Sequence, residues 1–407
     1  MKIFRITNHL ERVLGLLKKI EVHPKGIEKM LPKTQVMLFH IKGIEGFKAN
    51  LLKQEMLSIG GDCAISKKAL LSKRNTECLL IGTRKHIKIL TEKLQEQNSG
   101  LKKIAKILKK ELETDERENI FKANNFTFNL KSKVLIMGIL NLTPDSFSGD
   151  GIYKDKNYKK YIPLILKKVE EMIKEGADII DIGGESTRPG ASYIKVSEEI
   201  KRVIPALIEI RKRFKKIPIS VDTYKPQVAK LSIENGADII NDVTGLRNKE
   251  MLKILSKSKV GIICMHMKGR PKTMQKNPFY KDLIPQIIEF LSRSLERAEN
   301  FGIERERIVI DPGIGFGKSF EDNFRIIKYL EEFKILKRPI LIGASKKSFI
   351  GYILNQPPQE RLYGTLSVLS ICVMNGANIL RVHDVKEAKD CVKVANAIRN
   401  VWYTYQS

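Results

Sequence analysis

From residue 133 onward one pattern repeats eight times: a short apolar, β-branched run followed by a longer stretch with helical spacing. The runs are VLIMGILN (134–141), ADIIDIGGE (177–185), IPISVDT (217–223) and ADIINDVT (237–244), then VGIICMHM (260–267), IVIDPGIG (308–315), PILIGASK (339–346) and ANILRVHD (377–384). Stretches such as YIPLILKKVEEMIKEG and FEDNFRIIKYLEEF lie between them. Each run is apolar through its length rather than alternating, as in strands covered on both faces. Strands that alternate with helices build a parallel sheet, because each crossover between parallel neighbours needs a helix-length connection. Eight such units within residues 133–407 specify an α/β fold of the (β/α)8 TIM-barrel type. An open doubly wound sheet is the alternative.

Polar residues gather at the C-terminal ends of the runs. They are Asn141, Asp181 and Glu185, Asp222, Asn241 and Asp242, His266, Asp311, Ser345 to Ser348, and Arg381, His383 and Asp384. In a barrel those ends share one mouth, where active sites lie. A single residue of this kind reads as a strand-end cap, but all eight ends carry one. Arg381 and His383 alternate along a strand and so point to the same side.

The first 132 residues read as a separate small α/β domain without a role visible in sequence. KIFRIT, TQVMLFHI, CAISKKALL and TECLLIGT have strand texture. HLERVLGLLKKI, GFKANLLKQEMLSIGG, RKHIKILTEKLQEQ and LKKIAKILKKEL have helical spacing. No glycine-rich phosphate loop or metal cluster appears there, which favours a structural or docking role. The boundary is expected near 132, after a charged stretch without period. The net charge of +28 invites a nucleic-acid reading. The excess is Lys interleaved with Glu and Ile along the whole chain, without aromatic-plus-basic strips, so no nucleic-acid partner is expected. No apolar run is long enough to span a bilayer, so no membrane partner is expected either. Five Cys with no C-x-x-C pair exclude a disulfide framework and fit a reducing, cytoplasmic setting. GIGFGKS is not a P-loop, since Pro312 stands where its first glycine belongs.

The loop segments MGILNLTPDSFSGDG, DIGGESTRPGA, SVDT, INDVTG, MHMKGRPKTMQ, DPGIGFGKS, GASKKSFIG and RVHDV occur in this order through all eight units. Together they closely resemble dihydropteroate synthase, within the pterin-binding (β/α)8 family, over residues 133–400. The resemblance implies a transferase of folate biosynthesis. The amine of 4-aminobenzoate would displace diphosphate from (7,8-dihydropterin-6-yl)methyl diphosphate to give 7,8-dihydropteroate. It implies pterin recognition by Asp222, Asn241, Asp311 and Lys347, whose acceptors and donors suit a flat hydrogen-bonding ring edge. It assigns the diphosphate to Thr187, Arg188, Arg381 and His383. It assigns 4-aminobenzoate to Ser348, Phe316, Phe147 and Pro189. Mg²⁺ would sit on Asn141 and substrate phosphates, and Arg188, Lys347, Arg381 and His383 would serve catalysis. A homodimer is expected on the same ground. A barrel methyltransferase acting on methyltetrahydrofolate is the runner-up, although it would not need the diphosphate set.

Two departures stand out. The family often reads SFSDGG in the first loop, whereas here Ser148, Gly149 and Asp150 shift the Asp by one position. Ser-Arg-Lys-Ser is common in the seventh loop, whereas here Ser345, Lys346, Lys347 and Ser348 keep the charge and lose the guanidinium fork.

Overall fold

The structure, a computed structural model, describes all residues except 1–2, 4–5, 7, 68, 70–74, 97–99, 114–115, 144–151, 154–156, 187–192, 270–273, 275–277 and 402–407. The side chains of 116–117 are likewise outside the description. The chain forms two compact units. One is Met1–Asp115 with Val401–Ser407, and the other is Glu116–Asn400. The division expected at 132 thus lies between Asp115 and Glu116.

The first unit holds a three-stranded antiparallel sheet of order β1-β3-β2, from β1 (Val36–Glu45), β2 (Asp62–Ile65) and β3 (Asn75–Thr83). Its helices are α1 (Leu10–Lys19), α2 (Pro24–Met30), α3 (Gly46–Ser58), α4 (Arg84–Glu96) and α5 (Lys102–Leu112). Leu52, Met56, Leu80, Ile87, Leu90, Leu94 and Leu108 form its core at helical and alternating spacings. KIFRIT, expected as a strand, lies largely outside the described residues.

The second unit opens with a hairpin, β4 (Ile120–Ala123) and β5 (Phe126–Asn129). Eight parallel strands follow: β6 (Leu135–Asn141), β7 (Ile179–Gly183), β8 (Ile219–Asp222), β9 (Ile239–Asp242), β10 (Gly261–Met265), β11 (Ile308–Asp311), β12 (Leu341–Ile342) and β13 (Ile379–Val382). Each sequence run supplies one of them. Their order is β11-β10-β9-β8-β7-β6-β13-β12, and an Ile310–Ile340 bridge closes the ring. The fold is a (β/α)8 barrel.

Outside the strands run α6 (Ile162–Glu175), α7 (Val196–Arg213), α8 (Pro226–Glu234), α9 (Lys249–Ser256), α10 (Leu283–Asn300), α11 (Phe320–Lys328), α12 (Ser348–Leu354), α13 (Leu362–Met374) and α14 (Val385–Asn400). Local chemistry fixes their ends. Ser319 and Asp322 form a reciprocal capping box at the start of α11. Gly176, at φ 100°, closes α6 in the left-handed region that a side chain would resist.

The pleat sorts the strand residues into two cores. Ile136, Ile180, Val221, Ile240, Ile262, Ile310, Ile342 and Leu380 face the helices. Leu135, Met137, Ile179, Ile239, Ile263, Val309, Leu341 and Ile379 form an inner cluster with Phe121, Ala123 and Leu130. The hairpin therefore plugs the N-terminal end of the barrel. A Cβ on Gly261 would stand 2.6 Å from the Phe121 ring, so the glycine admits it. Arg338 donates to the Ile120 carbonyl at 2.7 Å, and Asn124 donates from its backbone N–H to the Lys259 carbonyl at 2.8 Å. These contacts explain why residues 116–132 belong with the barrel.

Candidate active site

Counting two residues onward from the inner cluster gives Ile139, Asp181, Asn241, Met265, Asp311, Gly343 and Arg381. Two more give Asn141, Val243, Ser345 and His383. The pleat thus turns polar residues inward only at the C-terminal end of the barrel, above an apolar filling. Most of these residues, with Asp222, Phe316 and Lys347, line one cavity open to solvent.

Arg381 is the hub of the charge. Its Nε donates to Asp181 Oδ2 at 2.6 Å and a terminal nitrogen donates to Asp222 Oδ2 at 3.1 Å. Among the described residues the other oxygens, Oδ1 of Asp181 and of Asp222, are buried without a hydrogen-bond partner, as is Oδ1 of Asn241. Buried polar atoms normally find partners, so unsatisfied acceptors at the mouth call for a ligand with N–H donors, or for water. Burial pushes the Asp222 carboxyl up to about 7. The Arg381 guanidinium opposes that shift, and the Asp181, Glu199 and Glu185 carboxylates add to it. Behind Asp222, buried Lys225 bridges Glu185 at 2.9 Å and Glu199 at 2.6 Å.

Asp311 takes the Gly313 backbone N–H on Oδ1 at 2.6 Å, and burial raises its carboxyl above the ordinary range. Lys347 donates to the Ile314 carbonyl and sits 4.6 Å from the centre of the Phe316 ring. Burial brings its ammonium down to about 8, with Asp311 opposing. His383 shares a hydrogen bond with the Ser345 hydroxyl at 2.9 Å through Nδ1, which fixes the ring.

The expected pterin set, Asp222, Asn241, Asp311 and Lys347, meets in this cavity, as do Arg381, His383 and Phe316. Ser348 is exposed at the start of α12 and is not among the cavity-lining residues. Thr187, Arg188, Pro189 and Phe147 lie outside the described residues, as do Ser148 to Asp150. Asn141 ends β6 beside Gly183, which leaves room next to its amide oxygen. Among the described residues no three His, Cys, Asp or Glu gather to hold a metal ion. One neutral oxygen at the mouth still fits Mg²⁺, which keeps several waters and takes phosphate oxygens. Lys346 serves structure instead. At φ 57° it pairs with Asp384 at 2.7 Å, and its carbonyl accepts from Arg361 at 3.0 Å.

Sequence reading did not assign Ile139, Val243, Met265 or Gly343 to the site, nor Asp181 as the anchor of Arg381. The strand period would have found the first four, since each stands two residues from a polar one or from the inner cluster. No helix among the described residues is long and apolar enough to cross a membrane.

Comparison with known proteins points to one family. The family described as "Pterin binding enzyme" matches residues 137–383. A dihydropteroate synthase of Escherichia coli K12 is 44% identical over 262 residues, 64% of this chain and 90% of that protein. A Yersinia pestis dihydropteroate synthase, solved in complex with a sulfonamide drug, is similar at TM-score 0.65 and 39% identity, covering 69% of this chain and all of the other. A Halobacterium salinarum protein named "Probable bifunctional folylpolyglutamate synthase/dihydropteroate synthase" is 35% identical over 394 residues, 96% of this chain and 46% of that one.

Proposed function

The chain belongs to the pterin-binding enzyme family with the activity of a dihydropteroate synthase, and we propose that the cavity at the barrel mouth carries out that reaction. The enzyme condenses (7,8-dihydropterin-6-yl)methyl diphosphate with 4-aminobenzoate, a transfer of the pterin-methyl group in folate biosynthesis. The observation that carries the residue roles is the convergence of acceptors and cations in one cavity. Asp222, Asn241 and Asp311 accept from the amino and ring N–H groups of the pterin, and protonated Lys347 donates to its carbonyl side.

Arg381 and His383 meet the diphosphate. Their charge and hydrogen bonds matter most as the C–O bond breaks and negative charge builds on the leaving oxygens. The arylamine nitrogen then attacks the methylene carbon and loses a proton, so the protein needs no nucleophile of its own. Its contribution is orientation of two substrates and stabilisation of a leaving group. Thr187 and Arg188 complete the anion site in this reading. Phe316, Phe147, Pro189 and Ser348 form the arylamine site. Asn141 would hold Mg²⁺, which when bound supplies charge neutralisation to the diphosphate.

The test is diphosphate release by the purified chain with both substrates and Mg²⁺, with and without a sulfonamide. Release that needs the arylamine and is competitively inhibited supports this reading, and absence of pterin diphosphate binding would overturn it. We also infer a homodimer. Tyr363, Ile371 and Met374 on α13, with Val394 and Ile398 on α14, stay exposed in the single chain, an apolar patch suited to a second copy. Light scattering should then give twice 46.5 kDa, and a single mass would remove the dimer. Five free Cys are consistent with work in the cytoplasm.

A further inference from the structure

We propose that Lys318 is a positioning residue of this site: bonded to His266 and to the Phe316 carbonyl, it clamps the loop after β11 to the chain after β10 and so fixes the Phe316 ring at the cavity wall. The inference rests on the functional reading above only where it names the arylamine as the substrate beside that ring. Lys318 is almost wholly buried, and nothing in the reaction as described uses it. Burying an ammonium is costly unless hydrogen bonds and charge replace the lost water. Its Nζ lies 2.9 Å from His266 Nδ1 and 3.1 Å from the Phe316 carbonyl oxygen. Burial brings the Lys318 ammonium down to about 7, with Asp311 opposing; in its charged form it only donates, so Nδ1 then accepts and His266 carries its proton on Nε2. Burial and the neighbouring Lys318 keep His266 well below its ordinary value, which leaves the ring neutral and able to accept.

The two segments it joins are in backbone contact. A Cβ on Gly313 would stand 1.9 Å from the His266 carbonyl oxygen, and one on Gly317 would stand 2.3 Å from that of Lys268. Both glycines have positive φ, 73° and 64°, so the loop threads this gap only without side chains. The loop's other polar groups are already tied: Gly313 N–H donates to Asp311, Gly315 N–H to Asn323 and Phe316 N–H to the Gly313 carbonyl, and the Tyr280 hydroxyl donates to the Gly317 carbonyl, each by a hydrogen bond. Lys318 adds the hydrogen bond at the Phe316 carbonyl that also reaches the chain after β10, while Lys347 lies against the Phe316 ring. Phe316 is thereby gripped by two lysines, one at its backbone and one at its ring.

The full chain would be compared with three variants, Lys318→Met, His266→Leu and His266→Asn. Met keeps the length of the Lys side chain without its donor. Asn keeps an acceptor oxygen near the position of Nδ1. Lys318→Met and His266→Leu should each raise KM for 4-aminobenzoate about tenfold, the cost of one lost buried hydrogen bond, with KM for the pterin diphosphate changed less than about threefold. His266→Asn should stay close to the wild type. Amides of residues 315–317 should exchange at least about tenfold faster in Lys318→Met while those of the barrel strands do not change. Equal loss for both substrates with a lowered Tm would reduce Lys318 to a packing residue. Unchanged exchange at 315–317 would overturn the clamp whether or not the chain binds pterin diphosphate, and absence of that binding would separately overturn the functional reading.

Discussion

Asp222 combines two conditions that oppose each other, since it is buried and, in the proposed role, accepts from a ligand. Its carboxyl, raised from 3.8 to about 7, keeps a proton in the folded chain that the unfolded chain has already released. Between those pH values the folded state binds more protons, so this group's contribution to stability falls as pH rises from about 4 to about 7 and is level above. Ligand acceptance runs the other way, because a pterin N–H needs the unprotonated oxygen. Pterin affinity should therefore tighten from about pH 6 to about 7.5 and stop gaining as the Lys347 ammonium, held at about 8, loses its proton; calorimetry on Asp222→Asn should find the rise flattened. Asp222→Ala should weaken pterin binding by about 10- to 100-fold, the worth of hydrogen bonds to a charged group. His383→Ala should lower kcat more than it changes pterin affinity; steady-state kinetics with equal loss in both would make it a simple binding group. These residues were legible in the sequence because each ends a strand. The grip of Asp181 on Arg381 was not, because it joins β7 to β13 across 200 positions and depends on how the barrel closes.

At the scale of elements, the eight strands were legible because each carries an uninterrupted apolar run before a helical stretch. The β4–β5 hairpin was not. Its strands are four residues long, and the charged stretch before it resembles a linker. The signal was the Asn124–Asn125 pair between FKA and FTF, a two-residue turn in which Asn124 takes φ 51°. Alternation across that turn then puts Phe121 and Ala123 on the barrel side. Phe121 is fully buried beneath the inner cluster, far along the barrel from the mouth. Phe121→Ala should cost about 3–5 kcal/mol of stability by denaturant titration, the usual loss for an aromatic in a core. KM for either substrate should stay the same, and a changed KM would mean that the plug and the mouth are not independent.

For the whole molecule, every described residue that lines the cavity belongs to the unit Glu116–Asn400. A chain restricted to residues 116–400 should keep kcat within about threefold of the full protein. A loss of a hundredfold or more in the same assay would give the first unit a part in the reaction. The sequence showed that first unit as an α/β domain but said little of its purpose, since a three-stranded sheet with covering helices carries no chemistry by itself. Closure of the barrel, by contrast, has a bearing on its motion. Neighbouring strands around most of the ring share ladders of three to five residue pairs. β12 is joined to β13 by two pairs and to β11 by the single Ile310–Ile340 bridge. Asp311 lies on one side of that seam, and Lys347, which follows β12, lies on the other. The ring is therefore softest across the line that separates a carboxylate from its opposing ammonium. A ligand of different breadth would be accommodated by parting or drawing together those two edges, as a split collar adjusts to its shaft, while the stiffer remainder of the ring keeps its shape.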